Sequence, residues 1–155
     1  SAGSVQRKNP RRQNYPDGSA IMQRLSTLSI LVPEYDAGIA FFVSQLGFNL
    51  IEDTDQGHKR WVKVAPKGAE TAFLIAKATT PEQIAAIGNQ GGGRVWLILE
   101  TDNFTRDHAA YVAAGVAFEE APRHEPYGTV AVFADPFSNR WDLIEFSGEK
   151  DDTHG

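Results

Sequence analysis

Residues 25–32 alternate, with Leu28, Ile30 and Val32 on one face and Thr27 and Ser29 on the other, which predicts a strand. Pro33-Glu34-Tyr35-Asp36 opens a helix with Asp36 as its N-cap. Ile39, Phe42, Val43 and Leu46 form that helix's apolar face, and Gly47 supplies a left-handed stop. Strands follow at about 48–54, 60–66 and 71–78. Thr80-Pro81-Glu82-Gln83 reads as a capping box, so a short helix is expected over 81–87. Gly91-Gly92-Gly93 is a flexible connector.

The pattern then restarts. Residues 94–101 form a strand with Val95, Leu97 and Leu99 on one face and Trp96 and Ile98 on the other. Asp102 or Asn103 caps a helix that runs to Ala114 and stops at Gly115. Strands follow at about 116–121, 128–134 and 140–146, the last two joined by the turn Asp135-Pro136-Phe137-Ser138-Asn139. Gly47 and Gly115 lie 68 positions apart, while Thr27 and Trp96, like Ala76 and Glu145, are matched at 69. The one-residue slip is expected in the helix or at its start. The chain is thus a tandem duplication of a β-α-β-β-β unit, an α+β fold in which neither copy could bury its sheet alone.

This organisation gives one domain over 22–147, with units at about 24–79 and 93–147, an N-terminal extension at 1–21 and a polar tail at 148–155. The length of 155 residues suits one core and is short for two ordinary domains. The extension carries a net charge of +3 and the remainder −8. An acidic body repels phosphate backbones, which argues against nucleic-acid binding. No apolar run approaches the ~18 residues of a membrane helix, and the extension lacks the apolar stretch of a signal peptide, so a cytoplasmic location is expected. Zero cysteines exclude disulfides and thiol catalysis. No nucleophile elbow, phosphate-binding loop or dinucleotide fingerprint is present.

Leu31-Val32-Pro33-Glu34-Tyr35-Asp36, followed by Ala40-Phe41-Phe42 and Leu46-Gly47-Phe48, resembles the first unit of the glyoxalase/bleomycin-resistance/extradiol-dioxygenase superfamily, the vicinal oxygen chelate proteins. The second unit carries the same resemblance in Thr101-Asp102-Asn103-Phe104, Ala114-Gly115-Val116, Glu125-Pro126-Tyr127-Gly128 and 135–145. Coverage is roughly 24–147, and one departure is Ser138, where the family's turn usually has Gly. The resemblance implies an open mixed-sheet barrel with the helices on its convex side and concave faces meeting around a ligand cavity. It implies a homodimer as well.

Metal-dependent members of the family place His, Gln or Glu at four equivalent points, which here fall on Thr27, Ala76, Trp96 and Glu145. A divalent ion needs about three or four N or O donors at ~2.0–2.2 Å. Ala76 has none, Trp96 offers only an N–H donor, and Thr27 is a weak ligand, so no metal or other cofactor is expected. His58, His108, His124 and His154 read as surface or packing residues.

Projecting the alternation onto the concave faces gives a wall of Thr27, Ser29, Leu74, Ala76, Trp96, Ile98, Trp141, Leu143 and Glu145, with Tyr127 at its mouth. Two indoles and one carboxylate suit a flat organic ligand. Glu145 either serves this cavity, as counter-charge or general base, or pairs with Arg60 or Arg94. The basic residues of the hairpin Gln56-Gly57-His58-Lys59-Arg60-Trp61 either meet an anionic group at the rim or are solvated. The function expected is binding of a small flat organic molecule in a metal-free cavity. The alternative is a lyase, isomerase or dioxygenase-like enzyme that uses Glu145 as base or metal ligand.

Overall fold

The structure, a computed structural model, describes residues 13–148. The first unit runs β3 (Thr27–Val32), α1 (Tyr35–Ile39), β4 (Asn49–Asp55), β5 (Arg60–Ala65) and β6 (Ala72–Lys77). After α2 (Pro81–Ala86), the second runs β7 (Val95–Glu100), α3 (Phe104–Ala113), β8 (Ala117–Phe118), β9 (Arg123–Glu125), β10 (Gly128–Ala134) and β11 (Arg140–Phe146). Of the expected 116–121 strand only β8 forms, and β9 follows beyond its end. Ahead of the first unit, β1 (Gln13–Asn14) and β2 (Ala20–Ile21) form a small hairpin within the expected extension. The basic cluster Arg7, Lys8, Arg11 and Arg12 and most of the polar tail lie outside the described residues.

Each unit builds its own mixed sheet. The first has the order β3-β6-β5-β4, and the second places β7 beside β11, then β10, with β8 and β9 both on β10. In each, the unit's first and last strands pair in parallel. The fold is therefore α+β with two mixed sheets, and they do not close into one barrel. Among the described residues, no helix is long and apolar enough to cross a membrane.

Helix starts and stops follow local chemistry. Glu34, not Asp36, occupies the N-cap position of α1. The Thr80 hydroxyl accepts from Gln83 N at 3.1 Å, while Gln83 Oε1 accepts from Thr79 N at 2.8 Å. Asn103 caps α3 by accepting from Arg106 N at 3.0 Å. Gly47 and Gly115 end the two unit helices at φ +76° and +89°, the region that favours glycine. Ser138 takes the same region at φ 89°, a conformation that favours glycine.

The register difference between the units has a structural cause. α1 continues as a π-helical turn, Ala40–Gln45, in which Leu46 N bonds Phe41 O at 3.0 Å. A π turn holds one residue more than an α turn. That residue accounts for Leu28 matching Leu97 at 69 positions while Gly47 matches Gly115 at 68.

The helix-bearing faces of both sheets meet in one core. Phe42 and Phe73 of the first unit lie 5.9 and 5.7 Å from Trp141 of the second, ring centre to ring centre, and Phe133 stacks on Trp141 at 5.5 Å. Gln45 Nε2 ties the end of the first unit's helix to Ala114 O at the end of α3, at 2.9 Å. The opposite faces of the two sheets look away from this core; on the second sheet that face is partly covered, with Val130, Val132 and Ile144 buried.

Candidate ligand site

Alternation along each strand sorts residues between the core face and the open face. On the first sheet, Ile30, Val32, Val62, Val64, Phe73 and Ile75 enter the core. Thr27 pairs in register with Ala72, Ser29 with Leu74 and Leu31 with Ala76, all on the open face. Trp61 and Lys63 join them from β5, between the buried valines. Thr27, Ser29, Leu74 and Ala76 therefore lie on the face that alternation assigned to them.

A depression of about 520 Å³ opens at this sheet, its lining including Leu31, Trp61, Leu74 and Ala76, with His58, Lys59, Thr79 and Gln83 around them. Trp61 escapes a wall projected only from the first and last strands of each unit. Its signal was present in the 60–66 strand itself. Arg60 also lines the depression, with its guanidinium held by Asp53 at 2.7 Å and Asp36 at 2.9 Å and lying over the Tyr35 ring at 5.4 Å. Its hydrogen bonds to Asp53 and Asp36 raise its pKa above the ordinary guanidinium value.

The second sheet corrects the expected wall. A register shift at Arg140/Trp141 pairs Arg140 with Val95 but Trp141 with Leu97, and Leu143 with Leu99. Trp141 and Leu143 thus share the core face with Leu97 and Leu99 and are 1% and 0% exposed. Ile98 points the other way, while Trp96, the extra residue at this shift, is half-buried against the core cluster and beside Gly91. Matched through their partner strands, Phe73 and Trp141 are 68 positions apart, and the point equivalent to Ala76 is Ile144, not Glu145. A shorter turn before β11 removes the residue that the matching at 69 assumed.

Glu145 belongs to the core side as well. Its Oε1 accepts the Phe104 backbone N–H at 2.7 Å, placing a carboxylate at the N-terminus of α3. It is paired with neither Arg60 nor Arg94 among the described contacts. Tyr127, 40% exposed, sits beside β9, where its hydroxyl is one of the partners that raise the Arg123 pKa, after Glu125. Ile98, 66% exposed, borders a crevice of about 450 Å³ between the units, floored by Leu28, Phe73, Leu97 and Trp141. The expected wall is therefore divided among three places: the first sheet's open face, the second sheet's open face, and the core.

The histidines pack or stay at the surface. His108 stacks on Phe104 at 5.3 Å and lies 4.4 Å from Phe118, and His124 Nδ1 is 3.3 Å from the Thr129 hydroxyl. His58 lies on the rim of the first sheet's depression, and His154 is outside the described residues.

Residues 24–143 match the Glyoxalase/Bleomycin resistance protein/Dioxygenase superfamily model. The chain belongs to this superfamily. An uncharacterized protein of Shewanella frigidimarina is 44% identical over 131 residues, 83% of this chain and 97% of that one. Among solved structures, UcmS2 is 30% identical with a TM-score of 0.70, covering 80% of this chain and 98% of its own. TnmS3, an antibiotic binding protein from Streptomyces sp. CB03234, is 31% identical with a TM-score of 0.66, covering 81% of this chain and 98% of its own.

The superfamily's metal-dependent members set the test for a metal here. The points that the resemblance implied, with Ile144 in place of Glu145 by register, are Thr27, Ala76, Trp96 and Ile144, a set with one weak oxygen donor and no carboxylate or imidazole. These residues do not fit a divalent ion. Among the described residues, no group of three or more His, Asp or Glu side chains converges elsewhere.

Proposed function

We propose that this superfamily member binds a small flat organic molecule on the open face of its first sheet, without a metal ion. The observation that carries the reading is the depression of about 520 Å³ in which the Trp61 indole stands with Leu31, Leu74 and Ala76. Ligand cavities commonly measure about 300–1,000 Å³ and pair apolar walls with a few polar groups. Thr79 and Gln83 supply such groups, and an indole supplies a flat stacking surface. The likeness to TnmS3, named as an antibiotic binding protein, supports the same reading. Glu145, the expected general base of the enzyme alternative, is engaged at the α3 N-terminus.

Binding in a homodimer is part of this proposal. All seven residues of the edge strand β4 are exposed, including Leu50 at 44% and Ile51 at 54%. An exposed apolar edge is a surface that a second copy can cover. Light scattering should give twice the chain mass at micromolar concentration, and a single-chain mass contradicts the dimer.

Calorimetric titration with a set of planar aromatic compounds tests the site. Saturable binding is expected, weakened about 2- to 10-fold in Trp61→Ala, since a stacking contact contributes about 0.5–1.5 kcal/mol. Absence of saturable binding, or equal affinity in Trp61→Ala, overturns it.

A further inference from the structure

We propose that the cleft between the two units, beside α3, binds a free α-amino acid whose apolar side chain carries one hydrogen-bonding group, with Tyr111 as the partner of that group. The cleft shares no lining residue with the first-sheet depression, so the inference stands apart from the function proposed above.

The cleft measures about 710 Å³, within the usual range of ligand cavities. Its first-unit wall runs from the end of the π turn, residues 44–48, to Pro66 and Lys67. Its second-unit wall is the end of β7 and one face of α3. Leu46, Phe48 and Tyr111 supply its buried part, at 5%, 4% and 7% exposed.

Tyr111 carries the argument. Its ring packs edge-on against Phe133 at 5.9 Å. Its hydroxyl makes no hydrogen bond to any described residue, although a tyrosine buried this deeply usually finds a partner for its O–H. Among the described residues, Asn139 Oδ1 is the side-chain polar atom that is both closed off and unpartnered. The Tyr111 hydroxyl is therefore accessible, and the cleft is the cavity that this residue lines. Burial, and then the Asp107 carboxylate nearby, push the Tyr111 pKa up to about 12, so the hydroxyl keeps its proton at neutral pH and both donates and accepts.

The charges of the lining decide the ligand's head. Arg106 is committed to Asp102 at 2.9 Å and to Asp107 at 2.9 Å, and Asp107 also accepts the Thr101 hydroxyl. Two exposed charges remain, one on each wall. Lys67 Nζ donates to the Gly47 carbonyl and has no carboxylate partner, and Glu100 has no cation partner among the described residues. A ligand with only a positive charge meets a like charge at Lys67, and one with only a negative charge meets a like charge at Glu100. A zwitterion answers both, its carboxylate toward Lys67 and its ammonium toward Glu100. The same molecule lays an apolar side chain on Leu46 and Phe48 and brings its hydrogen-bonding group to Tyr111.

Calorimetric titration of the full chain tests this with four probes. L-Tryptophan has the zwitterion and an indole N–H. 3-Benzothienyl-L-alanine replaces that N–H by sulfur, tryptamine keeps the cation alone, and indole-3-propionate keeps the anion alone. Tyr111→Phe keeps the ring and removes a hydroxyl that no protein group uses, so its melting temperature should match that of the parent protein. L-Tryptophan is expected to bind saturably, about 2- to 10-fold tighter than each of the other three. Tyr111→Phe should weaken L-tryptophan by about the same factor and leave 3-benzothienyl-L-alanine unchanged, a difference that a purely structural role does not produce. Lys67→Met and Glu100→Gln, both at exposed positions, should each weaken L-tryptophan by about 1.5- to 5-fold. Trp61→Ala should leave it unchanged. No saturable binding of L-tryptophan overturns the inference, as does a Tyr111→Phe variant that treats the two amino acids alike. Tryptamine or indole-3-propionate binding as tightly as L-tryptophan, or no effect of Lys67→Met and Glu100→Gln, overturns the zwitterion. L-Tryptophan binding weakened by Trp61→Ala overturns the cleft and leaves the first-sheet site standing.

Discussion

Phe73 and Trp141 stand at matching points of the two units and meet at 5.7 Å across the core. The duplication thus packs against itself through equivalent positions. This contact joins the core faces of the two sheets and leaves the open faces outward. Trp141 also donates from Nε1 to Asp135 Oδ2 at 3.1 Å. The same carboxylate accepts from Phe137 N, Asn139 N and Asn139 Nδ2, locking the turn before β11.

Trp141→Ala should therefore lower unfolding free energy by about 3–5 kcal/mol, the usual cost of emptying a large aromatic site. Trp141→Phe should cost less, leaving mainly the unmet hydrogen bond to Asp135, about 1–3 kcal/mol. Urea denaturation followed by far-UV circular dichroism measures both. A Trp141→Ala midpoint equal to that of the parent protein would place this residue outside the core.

Glu145 is expected to act on stability through α3. Glu145→Ala should cost about 0.5–2 kcal/mol, as loss of a capping acceptor does. It should also speed hydrogen exchange at the Phe104 amide, whose N–H the carboxylate accepts at 2.7 Å. Unchanged exchange at Phe104 would contradict this role.

Asp142 should make stability depend on pH in a direction opposite to that of a salt-bridged carboxylate. Burial raises its folded pKa above the unfolded value, so ionisation is harder in the folded state. The protein then loses stability as pH rises from below the unfolded pKa through the folded one. Asp142→Asn lacks that loss. Its melting temperature relative to the parent should rise with pH across the carboxylate range and then level off. Thermal melts from acidic to neutral pH show the trend, and a difference that is flat with pH counts against it.

The donor-poor set Thr27, Ala76, Trp96 and Ile144 leads to the expectation that protein purified without chelator carries no stoichiometric divalent ion at these points. Elemental analysis is the check. About one zinc, iron, nickel or manganese per chain, retained through dialysis, would contradict the assignment.

Local pattern determined much of this protein. Alternation placed every major strand, glycines marked the ends of both unit helices, and the repeat announced a duplicated α+β unit, because each of these signals acts over a few neighbouring residues. The positions of Thr27, Ser29, Leu74, Ala76 and Ile98 away from the core followed from the same period of two. The face of β11 did not. In a strand a slip of one residue exchanges the two faces, and nothing local to 140–146 states the register against β7. That register came from the π turn in the first unit's helix, the shorter turn before β11 and the shift at Arg140/Trp141. Only tertiary pairing therefore decided that Trp141 and Leu143 enter the core, that Glu145 caps α3 and that Asp142 faces outward. Only tertiary packing decided that the open faces of one chain do not meet, since that depends on which surfaces Phe42, Phe73 and Trp141 bury together.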